Sequence, residues 1–170
     1  MGFLSLFGCS KSKPSGEPTK TVSYRGGIVR FSLPSHWREE YEPEGGGTFY
    51  DDRPDSGTLR LNVISVEPKS SEQPVEHPFP PGSFETLPSG LRMRHRIVDA
   101  EERGTPIRLH RWEIAVPVPP ARLRIVCFTH TILARQESDA ATVAELALVE
   151  QSIRSAEFSR EPGVSGSFTK

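Results

Sequence analysis

Hydrophobic and polar residues alternate with a period of two along several stretches of this chain. Such alternation, in segments rich in β-branched and aromatic residues, is typical of half-buried β-strands. It predicts six strands, at residues 27–33, 47–51, 58–67, 91–101, 106–116 and 121–133. Turn-forming residues separate most of them, so neighbouring strands are expected to form hairpins. Sequential hairpins give an antiparallel meander.

One segment follows the helical period instead. Residues 140–153 contain neither Gly nor Pro, and Ser138 or Asp139 can cap the N-terminus. Apolar residues recur there at spacings of three and four, as a stripe formed by Val143, Leu146, Val149 and Ile153. Residues 156–158 are expected to return as a short edge strand. The pattern predicts an α+β fold, an antiparallel meander sheet of about six strands with a C-terminal helix packed on it.

The length of 170 residues fits one domain with tails. We expect a flexible N-terminal segment at 1–20, a single α+β domain at 21–158 and a disordered tail at 159–170. Within the domain, residues 67–90 carry six prolines and form an irregular insertion. The insertion is a candidate lid, because Phe79, Phe84 and Leu87 can pin it onto the body.

Composition excludes several classes of function. Lys and Arg number 21 against 22 Asp and Glu, and this balance argues against nucleic acid as the main partner. Two cysteines are too few for a disulfide scaffold or a structural zinc site. The chain contains no G-x-S-x-G, H-E-x-x-H, C-x-x-C or G-x-G-x-x-G motif, and we therefore expect no cofactor and no metal.

The N-terminal sequence leaves the cellular location open. Leu6-Phe7-Gly8-Cys9 looks like a bacterial lipobox followed by a polar tether, which makes Cys9 a candidate lipidation site. Only eight residues precede Cys9, fewer than a signal peptide needs. We expect a cytoplasmic protein, with membrane anchorage through Cys9 as the alternative.

Four segments together resemble a known superfamily: FSLPSHW at 31–37, GGTFYDD at 46–52, SGTLRLNVISVE at 56–67 and RWEIAVPVPPARLRIVCFTHTIL at 111–133. Their order before a C-terminal helix resembles the PsbP-like α/β/α sandwich superfamily, which includes PsbP, the yeast Ran-nucleotide-release factor, DcrB-type lipoproteins and EagR chaperones. The resemblance covers roughly residues 24–158 and implies a binding protein rather than an enzyme. The chain departs from the superfamily where the Pro-rich insertion replaces a helix between the fourth and fifth strands.

Pairing the predicted strands assigns each candidate residue to one of the two faces of the sheet. If Glu102 opposes Thr105, then His95 opposes Trp112, Ile97 opposes His110 and Asp99 opposes Arg108. If Val116 opposes Arg122 in the next hairpin, then His110 faces Phe128 and Arg108 faces His130. One face would then carry His95, His110 and His130 along a diagonal beside Trp112. Three histidines in a diagonal line cannot converge on one zinc ion, so packed or surface histidines are favoured over a catalytic or metal site.

The opposite face of these strands would carry Arg94, Arg96, Arg111 and Glu113. Arg96 and Arg111 directly oppose each other and repel unless an anion or carboxylate lies between them. The alternatives are a binding site for an anion or an acidic partner, and simple neutralisation by Glu113 and solvent. Cys127 in the next strand is expected to be a buried, unreactive thiol.

These patterns favour a small non-enzymatic binding module, an adaptor or chaperone-like protein for a protein or peptide partner. The candidate binding residues are Arg94, Arg96, Arg111, Glu113, His95, His110 and Trp112. The first alternative is a lipid-tethered envelope accessory protein, in which Cys9 mediates membrane contact. The second is an enzyme that uses the His and Asp side chains of one sheet face. The sequence leaves the oligomeric state open.

Overall fold

The structure, a computed structural model, describes residues 17–67 and 78–161. The strands of this part are β1 (Thr19–Tyr24), β2 (Val29–Pro34), β3 (Arg38–Tyr41), β4 (Gly47–Tyr50), β5 (Thr58–Val66), β6 (Glu85–Thr86), β7 (Arg92–Glu102), β8 (Thr105–Val118), β9 (Arg122–Leu133) and β10 (Glu157–Phe158). The α-helix α1 spans Ala140–Arg154. In the described ranges, no helix is long and apolar enough to cross a membrane.

The strands form two antiparallel sheets. One has three strands in the order β1-β2-β10, and the other has seven in the order β3-β4-β5-β9-β8-β7-β6. The predicted α+β class, with an antiparallel sheet and a C-terminal helix, is confirmed. The three-stranded sheet was not predicted, because β1 lacks a clear apolar alternation. The edge strand β3 of the larger sheet was not predicted either. All four residues of β3 are exposed, as an edge strand allows.

The hydrophobic core lies between the two sheets and beneath α1. Phe31 of β2 contacts Phe49 and Phe128 of the larger sheet edge-to-face, with both pairs of ring centroids 5.3 Å apart. This geometry is favoured by the ring quadrupoles and adds to the burial of the aromatic surface. The face of the larger sheet that meets this core is called the inner face below, and the opposite one the outer face.

One residue of the predicted helical stripe lies outside the core. Val149 and Ile153 of α1 are fully buried and Leu146 is half-buried, but Val143 is 52% exposed. Each residue of a helix turns the side chain by about 100°. Two steps of three residues therefore place Val143 about 120° around the helix from Val149, beyond the edge of the buried face.

The register between β7 and β8 is the predicted one, with His95 opposite Trp112 and Asp99 opposite Arg108. The predicted register between β8 and β9 is wrong by two residues. Strand β8 continues to Val118, which opposes Arg122, and the turn consists of residues 119–121. Pro117 lies inside β8, whereas Pro119 and Pro120 belong to the turn. Because the shift is even, every side chain keeps its predicted face.

The described end of the Pro-rich insertion packs against the larger sheet. Phe79 is buried with Ala115 and Leu123 on the outer face, while Leu87 joins the main core. Strand β6 pairs with β7 and is the edge strand on this side of the larger sheet. Residues 68–77 of the insertion, and most of the predicted segments 1–20 and 159–170, lie outside the described residues. Strand β1 begins at Thr19, two residues before the predicted start of the domain.

Candidate functional site

The predicted binding residues divide between the two faces of the seven-stranded sheet. Alternate residues of a strand point to opposite sides, and the observed registers align the strands across the sheet. Arg94, Arg96, Arg111 and Glu113 share the outer face and are called the arginine cluster below. His95, His110 and Trp112 lie on the inner face. The seven residues therefore form two separate groups.

Glu113 is the centre of the arginine cluster. Its side chain is only 7% exposed, and its carboxylate contacts all three arginines. Arg94 approaches Oε2 to 2.6 Å, Arg96 approaches the same oxygen to 3.2 Å, and Arg111 lies 3.1 Å from Oε1. The ion pairs explain how Arg96 and Arg111 can oppose each other directly across β7 and β8. Glu113 thus supplies the carboxylate that this opposition requires.

One carboxylate does not neutralise three guanidinium groups. The cluster keeps two positive charges, and the side chains of Arg96 and Arg111 are 47% and 41% exposed. The buried Nε of Arg111 has no hydrogen-bond partner among the described residues. Guanidinium groups bind carboxylates through paired N–H donors. The cluster can therefore accept a further carboxylate from outside.

A fourth arginine extends the positive surface. Arg60 of β5 opposes Thr129 of β9, which in turn opposes Arg111 of β8, so Arg60 lies in the same cross-strand row as Arg96. Three strand spacings, about 14 Å, separate the two ends of this row. Arg60 is not among the predicted binding residues, because the predicted pairing did not include β5 with β9. The alternation of Arg60 and Asn62 with Leu59 and Leu61 marks the outward-facing positions of β5.

An apolar surface borders the arginine cluster. Phe79 covers Ala115 and Leu123, and its ring centroid lies 4.7 Å from the guanidinium carbon of Arg94. Strand β5 pairs with β9 on the side away from β8. On its outer face, Ile64 is 54% exposed and Val66 is 40% exposed. Positive and apolar surface are thus side by side on one sheet face.

The inner-face group is a stack of aromatic rings. His95 lies parallel to Trp112, with centroids 4.6 Å apart, and the ring of His110 is 5.6 Å from that of His95. Burial lowers the pKa of both histidines below the usual 6.5. The buried Nε2 of His110 and the indole nitrogen of Trp112 have no hydrogen-bond partner in the described part of the chain. This arrangement favours neutral, packed imidazoles.

His130 directly opposes His110, which corrects the predicted diagonal of three histidines. It is fully buried and stacks on Trp37, with ring centroids 6.4 Å apart. Its Nε2 lies 3.1 Å from Oε1 of Glu145, at an angle that does not make a hydrogen bond. Within residues 17–67 and 78–161, no group of three His, Cys, Asp or Glu side chains is arranged to hold a metal ion.

Three further residues were singled out from the sequence: Asp99, Cys127 and Cys9. Asp99 and Arg108, which oppose each other as predicted, form a cross-strand ion pair at 2.8 Å, and Arg108 also contacts Glu137. Cys127 is buried and free, next to Arg111. Cys9 lies outside the described residues, so its lipidation remains a prediction.

Comparison with known proteins identifies relatives by fold. No family model matches the chain, and no curated protein matches it. A crystal structure from Bacteroides thetaiotaomicron aligns with a TM-score of 0.54 and 16% identity over 82% of this chain, which spans only 48% of that protein. LpqN of Mycobacterium tuberculosis aligns with a TM-score of 0.53 and 12% identity, over 81% of this chain and 84% of LpqN.

A third structure, the cyanobacterial PsbP (CyanoP) of Synechocystis, covers 89% of this chain and 99% of that chain at 12% identity. Its TM-score of 0.38 is too low to support an argument. The predicted α+β sandwich fold is confirmed by the structure and by the two likenesses with TM-scores above 0.5. At these identities the relatives show the fold alone.

Proposed function

We propose that the protein is a non-enzymatic binding module whose outer sheet face holds a partner protein or peptide. The observation that carries this proposal is that Glu113, one buried carboxylate, faces three guanidinium groups on an accessible surface. The excess positive charge attracts a carboxylate-bearing partner. The exposed side chains of Ile64 and Val66 on the same face give an apolar side chain of the same partner a place to pack.

The partner is a polypeptide segment in which acidic and apolar residues lie close together. Nucleic acid is not proposed, because the chain as a whole carries a net charge of −1. Catalysis is not proposed at the inner-face histidines. His95 and His110 lie against Trp112 or each other, and within the described ranges no carboxylate is hydrogen-bonded to either ring.

The test is affinity purification from the native host, with a tag at the C-terminus. Three proteins are compared: the wild type, the double variant Arg96→Glu/Arg111→Glu, and the matched control Arg30→Glu. Arg30 is exposed on β2 of the other sheet, and its substitution reverses one charge away from the cluster. A partner in stoichiometric amount should accompany the wild type and the control but not the double variant.

Binding of the purified partner should also weaken as salt is added, because the exposed charges of the cluster are screened. A partner retained equally by the double variant would contradict the proposed surface. Recovery of the wild type without any partner, in both soluble and membrane fractions, would contradict the proposed function. The soluble fraction is where we expect the partner, since we propose a cytoplasmic location.

The second candidate function is that of a lipid-tethered envelope accessory protein. Two observations favour it: the lipobox-like sequence that ends at Cys9, and the description of LpqN as involved in cell envelope biogenesis. Fractionation of wild type and Cys9→Ala separates the two candidates. Membrane recovery that is lost in Cys9→Ala supports tethering, while equal distribution of both proteins in the soluble fraction contradicts it.

A further inference from the structure

A cleft of about 880 Å³ lies between the two sheets, apart from the arginine cluster. The turn between β1 and β2 forms one wall, and the loop between β3 and β4 forms another. The remaining walls come from the end of β5, the start of β9 and residues 159–161. Its size falls in the range of pockets for small ligands.

Arg124 is the unusual residue of this cleft. It lines the cleft but is only 5% exposed. Its Nη1 donates a hydrogen bond to the carbonyl of Ser159 at 2.7 Å, and its Nη2 donates to the carbonyl of Glu161 at 3.1 Å. None of the described carboxylates forms an ion pair with it, and burial alone lowers the pKa of its guanidinium.

A buried guanidinium without a negative partner is costly, because it has lost water and gained only neutral acceptors. The two carbonyls use two of its five N–H donors. The remaining donors can pair with an anion that enters the cleft. Arg124 therefore provides a charged recognition point in an otherwise mixed pocket.

The surroundings of Arg124 limit the type of anion. Ile28, Val63 and Val118 supply apolar lining. The charged lining residues other than Arg124 are two arginines and three glutamates: Arg25, Arg122, Glu42, Glu67 and Glu161. Arg122 and Glu67 form an ion pair at 3.2 Å. Because the glutamates repel additional negative charge, a singly charged ligand fits this cleft better than a doubly charged one.

We propose that the cleft binds a small organic monocarboxylate with an apolar body, whose carboxylate pairs with Arg124. A carboxylate matches the planar guanidinium through parallel N–H···O bonds. The apolar body lies against Ile28, Val63 and Val118. This site is separate from the partner surface proposed above and does not depend on it.

The first experiment is a titration of the full chain with octanoate, followed by amide NMR and calorimetry. Matched titrations use 1-octanol, which lacks the charge, and octyl phosphate, which adds charge to the same apolar chain. Octanoate should shift amides of the cleft walls and bind at least about tenfold more tightly than 1-octanol. No saturable octanoate binding, equal affinity for 1-octanol, or shifts confined to the outer sheet face would each overturn the proposal. Tighter binding of octyl phosphate would overturn the choice of a monocarboxylate.

The second experiment changes Arg124 itself. Arg124→Met removes the charge and should weaken octanoate binding by about tenfold or more, while Arg124→Lys keeps the charge but loses the paired donors and should weaken it less. Arg135→Gln is the matched control, because Arg135 lies outside the cleft lining and forms an exposed ion pair with Asp55. Its affinity should stay within about threefold of the wild type. Unchanged affinity in both Arg124 variants would overturn the assignment.

Discussion

Glu145 of α1 lies 3.1 Å from His130 of β9, and this contact joins the helix to the seven-stranded sheet. The same Glu145 oxygen accepts a hydrogen bond of 2.8 Å from the backbone N–H of Gly57. A Cβ atom at position 57 would lie 2.3 Å from Nε2 of His130 and 2.5 Å from the Glu145 oxygen. Glycine at position 57 therefore allows the backbone before β5 to lie close to His130 of β9 and Glu145 of α1.

Glu145→Ala should destabilise the fold by about 1–3 kcal/mol. The substitution leaves the partly buried N–H of Gly57 without its acceptor and removes the carboxylate beside His130. Urea denaturation of the wild type and the variant measures the change in the free energy of unfolding. The matched control is Glu150→Ala on the same helix, whose carboxylate pairs with Arg154 one turn later.

The control should cost about 0.5 kcal/mol or less, since exposed pairs of this spacing contribute little. Equal losses in the two variants would show that the contact of Glu145 with the sheet does not contribute specifically. A change in the slope of the denaturation curve would indicate an altered denatured or native state instead.

The histidines of the inner face predict a pH dependence of stability. Burial lowers the pKa of His95 and of His110 below the ordinary value of 6.5. Between the folded-state and unfolded-state values, the unfolded chain binds more protons than the folded one. The free energy of unfolding is therefore highest above the unfolded-state value and falls as the pH drops from about 7 through 6.5.

Urea denaturation at a series of pH values tests this prediction. In His95→Gln/His110→Gln the fall between about pH 7 and pH 5 should be smaller than in the wild type. The carboxylate of Glu85 acts in a different window, because the hydrogen bond from Arg154 lowers its pKa below the ordinary 4.5. Its contribution is lost only at more acid pH. An unchanged slope in the double variant between pH 7 and pH 5 would contradict the role given to the histidines.

The sequence predicted the faces of the larger sheet better than its edges. The turn at Arg103 and Gly104 fixed the register of β7 and β8, so the opposition of Arg96 and Arg111 followed directly. The register of β9 was wrong because the proline-rich end of β8 looks like a turn, whereas the strand continues to Val118. Period-two patterning survives an even shift, so the residues of β9 keep their predicted faces, while the arginine cluster on β7 and β8 does not depend on this register.

The second sheet and the cleft could not be predicted by the same reasoning. Strand β1 alternates polar residues with only two buried ones, Val22 and Tyr24, and its pairing with β2 depends on packing across the core. The isolation of Arg124 from carboxylates depends on residues 159–161 lying against β9. Such contacts between distant parts of the chain leave no periodic signal in the sequence.

The arginine cluster makes the sharpest prediction about stability. Glu113→Gln removes the only carboxylate that contacts Arg94, Arg96 and Arg111 in the described structure, and three positive groups then face one another. Breaking a fully buried ion pair costs about 3–5 kcal/mol. Because two of the arginines are nearly half exposed, we expect a smaller loss of about 2–3 kcal/mol.

Added sulfate should distinguish this electrostatic cause from a loss of packing. A sulfate ion can occupy the space between the guanidinium groups, so it should stabilise Glu113→Gln more than the wild type in thermal denaturation. Chloride at equal ionic strength controls for general screening. Asp99→Asn is the matched variant, since its exposed carboxylate pairs with Arg108 alone and its loss should cost less than about 1 kcal/mol without specific rescue. If sulfate raised the melting temperatures of wild type and Glu113→Gln equally, the cluster would not be an anion-accepting surface, and the proposed partner site would lose its physical basis.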